Sequence, residues 1–408
     1  MISPADAWQR LLPHVSPMTA AALPREEALG RVLSAAVAAT VDVPAADVSA
    51  MDGYAVAGDV AAGTRLEVTG TVQAGDPPGV VLTAGAALRI MTGAPLPEGA
   101  DRVAPVEDTD GGESAVTVGR TPAAGAHVRR RGEVHRRGEE ILAAGTRLGA
   151  GALGLLAAHG HAEAPVHRPP RVAVLATGDE VVPPAAQPAR GQLRDSHTDF
   201  LLAAGRSLGL GFDSLGIAPD RPEALRRAID QGLGHDVLLV CGGVSKGLFD
   251  LVEGVLEGAG CRTLFDAVAV QPGKPLVAAV GPQREPARRP CLVFGLPGNP
   301  ASVMVCFWLF VRPALRRLAG LADGFWEGAL PARLAAPLPG AKGRDRFLPA
   351  RVRLGPEGVL AEPLPPRGSH DLAAYARGSA LVRVPARSAP LSAGSRCEIL
   401  PLVDWLEG

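Results

Sequence analysis

The pattern of apolar and polar positions predicts a parallel sheet in the middle of this chain. Largely apolar runs occupy residues 172–176, 236–240 and 291–294, and a Gly-rich loop follows each run. Amphipathic stretches between the runs, such as 222–232, have helical spacing. Strands that alternate with helices are typical of a doubly wound α/β domain. Such sheets bind ligands at the carboxyl ends of their strands, which is where the three loops begin.

The segments on either side follow different patterns. Residues 1–44 are predicted to be mostly helical, with Ser3 as the first N-cap. Residues 45–135 hold short apolar stretches cut by Gly and Pro, which predicts a small β-rich unit. Residues 136–170 are rich in glycine and contain one helix-like stretch. Short strands return after residue 330 and predict a small β-barrel or sandwich.

Composition narrows the class of protein. A chain of 408 residues with 47% hydrophobic and 20% charged residues is expected to fold into several globular domains. A net charge of −1 argues against nucleic acid or an acidic membrane as the partner. The five cysteines form no C-x-x-C pair and favour a reducing compartment, so a cytoplasmic protein is predicted. The longest apolar run, 300–311, is shorter than the roughly 20 residues of a membrane span.

The loops at the predicted sheet edge have features of anion binding. Residues 296–302 place a turn at a helix N-terminus, where free N–H groups attract anions. Residues 241–250 carry a Gly-Gly pair followed by serine, and Lys274 lies between two prolines that limit its backbone. Each feature also has a simpler explanation as a capped helix, an ordinary turn or a solvated surface lysine. Their convergence on one edge favours a binding site.

Acidic residues lie beside these loops. Glu180, Asp220 and Asp250 all follow predicted strands or adjoin a Gly-rich loop. Carboxylates repel an anion unless a hard cation lies between them, and Mg²⁺ takes oxygen ligands from both. The alternatives are an N-cap role for Asp220 and solvated loop positions for Glu180 and Asp250.

The same segments occur in the order found in a known family. The matching segments are Ser-Ala-Met-Asp-Gly-Tyr-Ala at 49–55, Arg-Ile-Met-Thr-Gly-Ala-Pro-Leu-Pro at 89–97, Thr-Gly-Asp-Glu at 177–180, Gly-Gln-Leu-Arg-Asp-Ser at 191–196, Gly-Gly-Val-Ser at 242–245, Pro-Gly-Lys-Pro at 272–275 and Leu-Pro-Gly-Asn-Pro-Ala-Ser at 296–302. Together they make the chain resemble the MoeA proteins, the molybdopterin molybdenumtransferases, and the E domain of gephyrin.

The resemblance implies a multidomain fold and a shared active site. The implied domains are a helical linker and dimerisation domain at 1–44 and 136–170, a small β-rich domain at 45–135, a molybdopterin-binding doubly wound α/β domain at 171–325 and a C-terminal β-barrel at 326–408. It implies a homodimer whose site lies between subunits, with the molybdopterin adenylyltransferase as a candidate partner.

The implied reaction inserts molybdenum from molybdate into adenylylated molybdopterin, with Mg²⁺-assisted release of AMP. The resemblance assigns catalytic roles to Asp52, Thr92, Glu180, Asp220, Asp250 and Lys274. It also assigns metal binding to Glu180, Asp220 and Asp250. It assigns substrate binding to Gly242, Gly243, Ser245, Pro297, Gly298, Asn299, Pro300, Ser302, Arg351 and Ser369. Asp52 and Thr92 are expected to reach the site from the partner subunit.

Several residues depart from the family pattern. Val134 stands where many relatives have an acid, and Gln271 stands where some members have a lysine. Lys246 and His197 also replace common residues. An alternative to the transferase is therefore a catalytically weakened pterin-binding or scaffold protein of the same fold. A transferase or hydrolase that acts on another nucleotide or pterin is a third possibility.

Overall fold

The computed structural model describes residues 1–242, 248–286, 288–355 and 358–402, without the side chains of 248–250. The chain forms two compact units. One comprises residues 1–21, 30–32 and 166 onward, and the other comprises 22–29 and 33–165. We call them the large unit and the small unit.

The helices of the described residues are Pro4–Leu11, Ala150–Ala158, His197–Ser207, Pro222–Gly232, Leu248–Gly258, Pro300–Cys306, Arg312–Leu318 and Leu372–Ala376. A π-helical segment occupies Phe307–Val311, and 3₁₀ turns occupy Leu12–His14, Arg25–Glu27 and Val106–Asp108.

A six-stranded sheet forms the centre of the large unit. Its strands lie in the order Phe212–Ala218, Val172–Thr177, Val237–Cys241, Leu292–Leu296, Val277–Val280 and Arg262–Phe265. The first four are parallel and the last two are antiparallel to their neighbours. The central strands are buried along their whole length, as expected for strands covered by helices on both faces. The predicted parallel sheet, with its loops on one edge, is confirmed.

A second sheet in the large unit closes into a barrel. Its strands are Asp345–Gly355, Gly358–Pro363, Leu330–Leu334, Arg396–Pro401 and Ala380–Val384, and the last pairs back with the first. The predicted C-terminal barrel is therefore confirmed. A short strand, Val270–Gln271, joins the barrel in parallel with Asp345 and Arg346. This pairing connects the α/β sheet region to the barrel. Two short parallel strands, Val181–Val182 and Leu193–Arg194, pair with each other and follow the strand Val172–Thr177 in sequence.

The small unit is built from short strands, as predicted. A five-stranded sheet has the order Arg102–Pro105, Gly53–Val56, Ala86–Ile90, Arg65–Val72 and Ala115–Thr117. The remaining strands are Val37–Ala38 paired with Glu140–Leu142, and Val48–Ser49 paired with Val128–Arg129. The strands Ala20–Pro24 and Glu163–His167 each contain a boundary between the two units, at 21/22 and 165/166. The finer division into four domains stays a prediction.

The N-terminal segment agrees with the prediction only at its start. Ser3 caps the helix Pro4–Leu11 by accepting a hydrogen bond from the amide of Asp6. After this helix, residues up to 44 form 3₁₀ turns and short strands, so this segment holds less helix than expected. A short stretch with helical spacing is only marginally stable as a helix. Its backbone N–H and C=O groups can form hydrogen bonds to a neighbouring strand instead.

Candidate active site

The carboxylates of Asp179, Glu180 and Asp220 lie close together beyond the end of the strand Val172–Thr177. The amide of Asp179 donates to Oδ2 of Asp220 at 3.3 Å, and the amide of Asp220 donates to Oδ1 of Asp179 at 3.2 Å. Burial raises the pKa of Asp220. The hydrogen bond from the amide of Asp179 lowers this pKa, and the charges of Asp179 and Glu180 raise it, so the pKa remains above its ordinary value. The cluster therefore concentrates negative charge at the edge of the sheet.

Asp220 is not the helix cap that its position suggested. The helix Pro222–Gly232 has Arg221 at its N-cap position, and that cap makes no side-chain hydrogen bond. Oδ1 of Asp220 is buried and has no hydrogen-bond partner among the described residues. An unpaired buried carboxylate oxygen is costly unless a ligand or cation contacts it. The N-cap interpretation of Asp220 is therefore wrong, because its side chain turns toward Asp179 instead.

A pocket of about 220 Å³ lies beside this cluster, and we call it the strand-edge pocket. Its floor is formed by Thr177 and Cys241 at the ends of two parallel strands. Gly242 also lines the pocket and packs against Thr177, since a Cβ atom at 242 would lie 1.9 Å from Oγ1 of Thr177. Glu180 is on the pocket wall. The remaining lining residues are Ala176, Val181, Leu193, Arg194, Asp195, Ser196, His197, Gly298 and Pro300.

A second cavity, of about 490 Å³, is lined by cations, and we call it the cation-lined cavity. Lys274, Arg344, Arg346 and Arg367 all contribute to its wall. Arg346 also donates hydrogen bonds to the carbonyls of 339 and 340, which hold its guanidinium in place. The hydroxyl-bearing residues Ser302, Ser369 and Tyr375 line the same space. Guanidinium, ammonium and hydroxyl groups in one concavity suit a small oxyanion.

The backbone of the loop that carries Lys274 is fixed by close packing. Gln271 pairs in register with Arg346 across the short parallel strands. Gly273 has a φ of +107°, and a Cβ atom there would lie 2.7 Å from Sγ of Cys306. The thiol of Cys306 donates to the carbonyl of Gly273 at 3.5 Å. Glycine is therefore required at 273, and the loop is held against the helix Pro300–Cys306.

One loop separates the two spaces. Gly298 and Pro300 line the strand-edge pocket, whereas Asn299 and Ser302 line the cation-lined cavity. Pro297 precedes these four residues, is buried and lines neither space. Asn299 occupies the N-cap position without a side-chain cap bond, so its amide is not committed to the helix. The amide of 301 donates to the carbonyl of Ser369 at 3.2 Å, which ties this loop to the C-terminal barrel region.

The small unit contains the other two predicted catalytic residues, and they touch each other. The amide and the hydroxyl of Thr92 each donate to Oδ1 of Asp52 at 2.7 Å. These two hydrogen bonds, first the amide and then the hydroxyl, lower the pKa of Asp52. Both residues are exposed. Asp52 is therefore an oriented, ionised carboxylate at the surface of the small unit.

The structure does not bring all of the predicted site residues together. Arg351 is exposed on the strand Asp345–Gly355 and lines neither the strand-edge pocket nor the cation-lined cavity. Gly243, Ser245 and the side chain of Asp250 lie outside the described residues, although Asp250 belongs to the helix Leu248–Gly258. Within the described ranges, no group of three or more His, Cys, Asp or Glu side chains has the arrangement of a metal site.

Sequence reasoning missed three arginines of the cation-lined cavity. Arg344, Arg346 and Arg367 were not candidates, because isolated arginines in a predicted barrel carry no local signal. The Arg-Asp-Arg spacing at 344–346 offered one clue, since alternate residues of a strand face the same side. Only the pairing of Arg346 with Gln271 places it beside Lys274.

The chain thus combines a doubly wound α/β region, which carries Gly-rich loops at one edge of its sheet, with a β-barrel and a small β-rich unit. Comparison with known proteins identifies the family. The chain matches the MoeA N-terminal region (domain I and II) over 2–160, a probable molybdopterin-binding domain over 173–317 and the MoeA C-terminal region (domain IV) over 331–402.

Relatives match along most of the chain. The chain is 36% identical to a molybdopterin molybdenumtransferase of Synechococcus elongatus over 98% of this chain and 100% of the relative. It is 39% identical to one from Nostoc sp. over 73% of this chain and 69% of the relative. A crystal structure of the molybdopterin biosynthesis MoeA protein of Pyrococcus horikoshii matches with a TM-score of 0.83 and 31% identity, covering 99% of this chain and 100% of that chain.

The chain therefore belongs to the MoeA family of molybdopterin molybdenumtransferases. It is a transferase with a role in molybdenum cofactor biosynthesis. Over the part of the chain that is described, none of the helices combines the length and apolar character needed to cross a bilayer.

Proposed function

We propose that this protein inserts molybdenum from molybdate into adenylylated molybdopterin and releases AMP with the help of Mg²⁺. The two dithiolene sulfurs bind molybdenum in place of one oxygen of molybdate, which leaves as water with the two thiol protons, and the oxidation state of molybdenum does not change. A second water hydrolyses the phosphoanhydride and releases AMP. The observation that carries the proposal is the pair of spaces on either side of the loop 297–302. One space is cation-lined, and the other lies beside a cluster of carboxylates.

The cation-lined cavity suits molybdate. Molybdate is a compact dianion, and the cavity gathers an ammonium and three guanidinium groups together with serine hydroxyls. Charge-assisted hydrogen bonds of this kind are about twice as strong as neutral ones. Gln271 removes one positive charge compared with relatives that have lysine, but its strand partner Arg346 supplies a cation to the same cavity. This arrangement supports a functional binding site despite the substitution.

The acid cluster suits a divalent cation. The unpaired buried oxygen of Asp220 and the raised pKa of its carboxyl group fit a group that binds a cation, because a positive charge relieves both penalties. Glu180 and Asp220 would hold Mg²⁺, with Asp250 as the third ligand. When bound, the cation neutralises charge on the phosphoanhydride oxygens.

Asp52 and Thr92 are proposed to complete the site from the partner subunit of a homodimer. The double hydrogen bond from Thr92 keeps one oxygen of Asp52 occupied and leaves the other oxygen available to a ligand. Such an oriented carboxylate suits a group that positions the attacking water or the substrate. The reaction is proposed to take place in the cytoplasm, where buried free thiols such as Cys241, Cys291 and Cys306 remain reduced. The molybdopterin adenylyltransferase is the proposed source of the substrate.

Release of AMP tests the proposal directly. The full-length protein is mixed with adenylylated molybdopterin, Mg²⁺ and molybdate, and AMP is measured with and without molybdate. We expect release that depends on both Mg²⁺ and molybdate. Properly folded protein that binds the pterin but releases no AMP would instead identify the weakened scaffold protein. The Asp250→Asn variant serves as a comparison and is expected to lose metal-dependent turnover while keeping its thermal midpoint.

A further inference from the structure

We propose that a pocket at the amino-terminal edge of the six-stranded sheet is a second anion site, which takes a compact tetrahedral oxyanion such as inorganic phosphate. We call it the arginine pocket. It has a volume of about 190 Å³ and is lined by Pro13, His14, Ser16, Val280, Arg289, Pro290 and Leu292. None of these residues lines the strand-edge pocket or the cation-lined cavity. The site goes beyond the proposed function, because no step of that reaction uses it.

The arginine pocket lies at the edge of the sheet opposite the Gly-rich loops. Leu292 is the first residue of its strand and pairs in register with Val237 and Val280. Val280 pairs in turn with Arg262, so Arg262 belongs to the same edge. The loops of the strand-edge pocket leave the carboxyl ends of the parallel strands. A ligand in the arginine pocket is therefore separated from the proposed reaction by the length of a five-residue strand, roughly 15 Å.

Arg289 places a half-buried positive charge in the wall of this pocket. Its guanidinium donates to the carbonyl of Ser16 at 2.7 Å, to the carbonyl of His14, and to Sδ of Met18 at 3.5 Å. These acceptors fix the position of the guanidinium but carry no net charge. Burial lowers the pKa of Arg289, and the charge of Asp236 does not offset that effect. A partly buried cation in this state is stabilised by an anion beside it.

Asp236 does not supply the missing negative charge. Its carboxylate is fully buried and accepts two hydrogen bonds from Arg168 and one from the amide of Arg171. The guanidinium of Arg171 also lies 3.9 Å from the same carboxylate. Arg168, Arg171 and Arg289 thus bring three positive charges to one negative charge. The excess leaves this edge of the sheet electropositive.

His14 and Arg262 add to the positive potential of the arginine pocket. The imidazole of His14 makes no hydrogen bond to the part of the chain that the structure describes. Burial lowers the pKa of His14, and the charges of Arg262 and Arg289 lower it further. Arg262 is exposed, and its guanidinium has no acidic partner within the described ranges. Among the described residues that line the pocket, none is acidic. An anion would therefore enter without repulsion from its walls.

The size of the arginine pocket selects a compact ion. A water molecule takes up roughly 30 Å³ in the liquid, so about 190 Å³ holds a tetrahedral oxyanion with a few waters. Sites for larger organic ligands usually measure about 300–1,000 Å³. Arginine is well suited to such ions, because its N–H groups form charge-assisted hydrogen bonds to oxyanions. Val280, Pro290 and Leu292 supply apolar walls, which strengthen the attraction by limiting water.

Phosphate binding to the full-length protein tests the proposal. Inorganic phosphate is titrated by calorimetry at constant ionic strength, because salt screens exposed charges. The Arg346→Ala background is used throughout, since the cation-lined cavity also offers cations to phosphate. Arg289→Gln keeps an N–H donor for the carbonyls but removes the charge, and is expected to weaken phosphate binding about 10- to 100-fold. Arg262→Gln is expected to weaken it about two- to fivefold through its longer-range charge.

Arg226 provides a matched control. Its guanidinium is already paired with Asp230, so Arg226→Gln is expected to leave phosphate affinity unchanged. Weakening of phosphate binding in this control as large as in Arg289→Gln would show a general charge effect and overturn the proposal. Phosphate affinity that stays unchanged in both Arg289→Gln and Arg262→Gln also overturns it. Thermal midpoints show whether Arg289→Gln folds, and Arg262→Gln, a surface change, decides the question if it does not.

His14 supplies a readout that does not depend on affinity alone. An anion in the pocket stabilises the protonated imidazole, so adding phosphate is expected to raise the pKa of His14, measured from its ring protons by NMR. The rise is expected to disappear in Arg289→Gln. An unchanged pKa of His14 in saturating phosphate overturns the proposal.

AMP serves as the larger phosphate-bearing probe. Its affinity is expected to be the same in Arg289→Gln as in the parent background, because the arginine pocket is too small for a nucleotide. AMP binding that depends on Arg289 as strongly as phosphate binding does would overturn the assignment to a compact ion. Molybdate-dependent release of AMP is expected to be unchanged when Arg289→Gln is made in the parent protein, so either result leaves the proposed function to its own test.

Discussion

Thr92 gives both its amide and its hydroxyl to a single oxygen of Asp52, at 2.7 Å each. These bonds keep the pKa of the carboxyl below its ordinary value and fix the direction of the free oxygen. The relationship joins two loops of the small unit whose residues lie 40 positions apart in sequence. It turns a surface aspartate, which would otherwise rotate freely, into an oriented anion.

The first prediction concerns this pair. Asp52→Asn is expected to lower molybdate-dependent AMP release by roughly tenfold or more, because the oriented negative charge is lost. Thr92→Val is expected to have a smaller effect of the same kind. Asp110→Asn is the matched control, since Asp110 is also an exposed loop acid that accepts backbone amides, from Thr117 and Gly112. Equal loss of activity in the control would show that the effect is structural.

The second prediction concerns the cation-lined cavity. Arg346→Ala and Lys274→Ala are each expected to raise the molybdate concentration needed for half-maximal AMP release by about 10- to 100-fold, since hydrogen bonds to charged groups are worth roughly 1.5–3 kcal/mol. Arg353→Ala is the control, because that arginine forms a surface ion pair with Glu362. A rise in the molybdate requirement that is equally large in Arg353→Ala would contradict the assignment.

The third prediction uses the close contact between Gly242 and Thr177. Gly242→Ala is expected to lower the thermal midpoint, because the new Cβ atom would lie 1.9 Å from Oγ1 of Thr177. Adding Thr177→Ala removes that oxygen and is expected to restore the midpoint. The double variant is then expected to fold with a midpoint close to that of the parent protein. A midpoint that does not recover would mean that the glycine is required by another neighbour.

The fourth prediction concerns the acid cluster. The pKa of Asp220 is raised in the folded protein, so its ionised form destabilises the fold once the pH exceeds the pKa of the unfolded chain. Asp220→Asn is therefore expected to raise the thermal midpoint at pH 7 without Mg²⁺ by a few degrees, on the order expected for a single relieved repulsion. The difference between the two midpoints narrows as the pH falls through the raised pKa of Asp220 toward the ordinary aspartate value. Added Mg²⁺ is expected to stabilise only the parent protein.

The fifth prediction concerns the stability of the α/β sheet. Arg168 donates two hydrogen bonds, at 2.7 and 2.9 Å, to the fully buried carboxylate of Asp236. Burial opposes ionisation, but Arg168 and Arg171 outweigh it and lower the pKa of Asp236. A lowered pKa gives stability that is present above the ordinary aspartate pKa and is lost as the pH falls through the folded value.

Asp236→Asn is therefore expected to lower the free energy of unfolding at pH 7 by about 3 kcal/mol, because the guanidinium of Arg168 loses its buried partner. Urea unfolding at pH 7 measures the change. The parent and the variant should converge in stability toward acid pH. A constant difference at every pH would show that packing, rather than charge, sets the contribution of Asp236.

Much of the fold could be predicted because the strands and helices of the α/β region each have a recognisable local pattern of apolar residues. Buried parallel strands are continuous apolar runs, and helices in crossovers show helical spacing, so the sheet edge and its loops could be located along the chain. The order of motifs then pointed to the MoeA family. The direction of the Asp220 side chain could not be predicted in the same way, because an aspartate that caps a helix and one that turns toward Asp179 look alike in sequence.

The sequence by itself determined the parallel strands of the α/β sheet, the Gly-rich loops and the acids that follow them, since each depends on the residues nearest to it. Only the tertiary structure decided that Arg346 lies beside Lys274, through the short pairing of Val270–Gln271 with the barrel. It also decided that the hydroxyl of Thr177 packs against Gly242. These contacts join segments far apart in the chain, and their register is set by packing that no local pattern encodes.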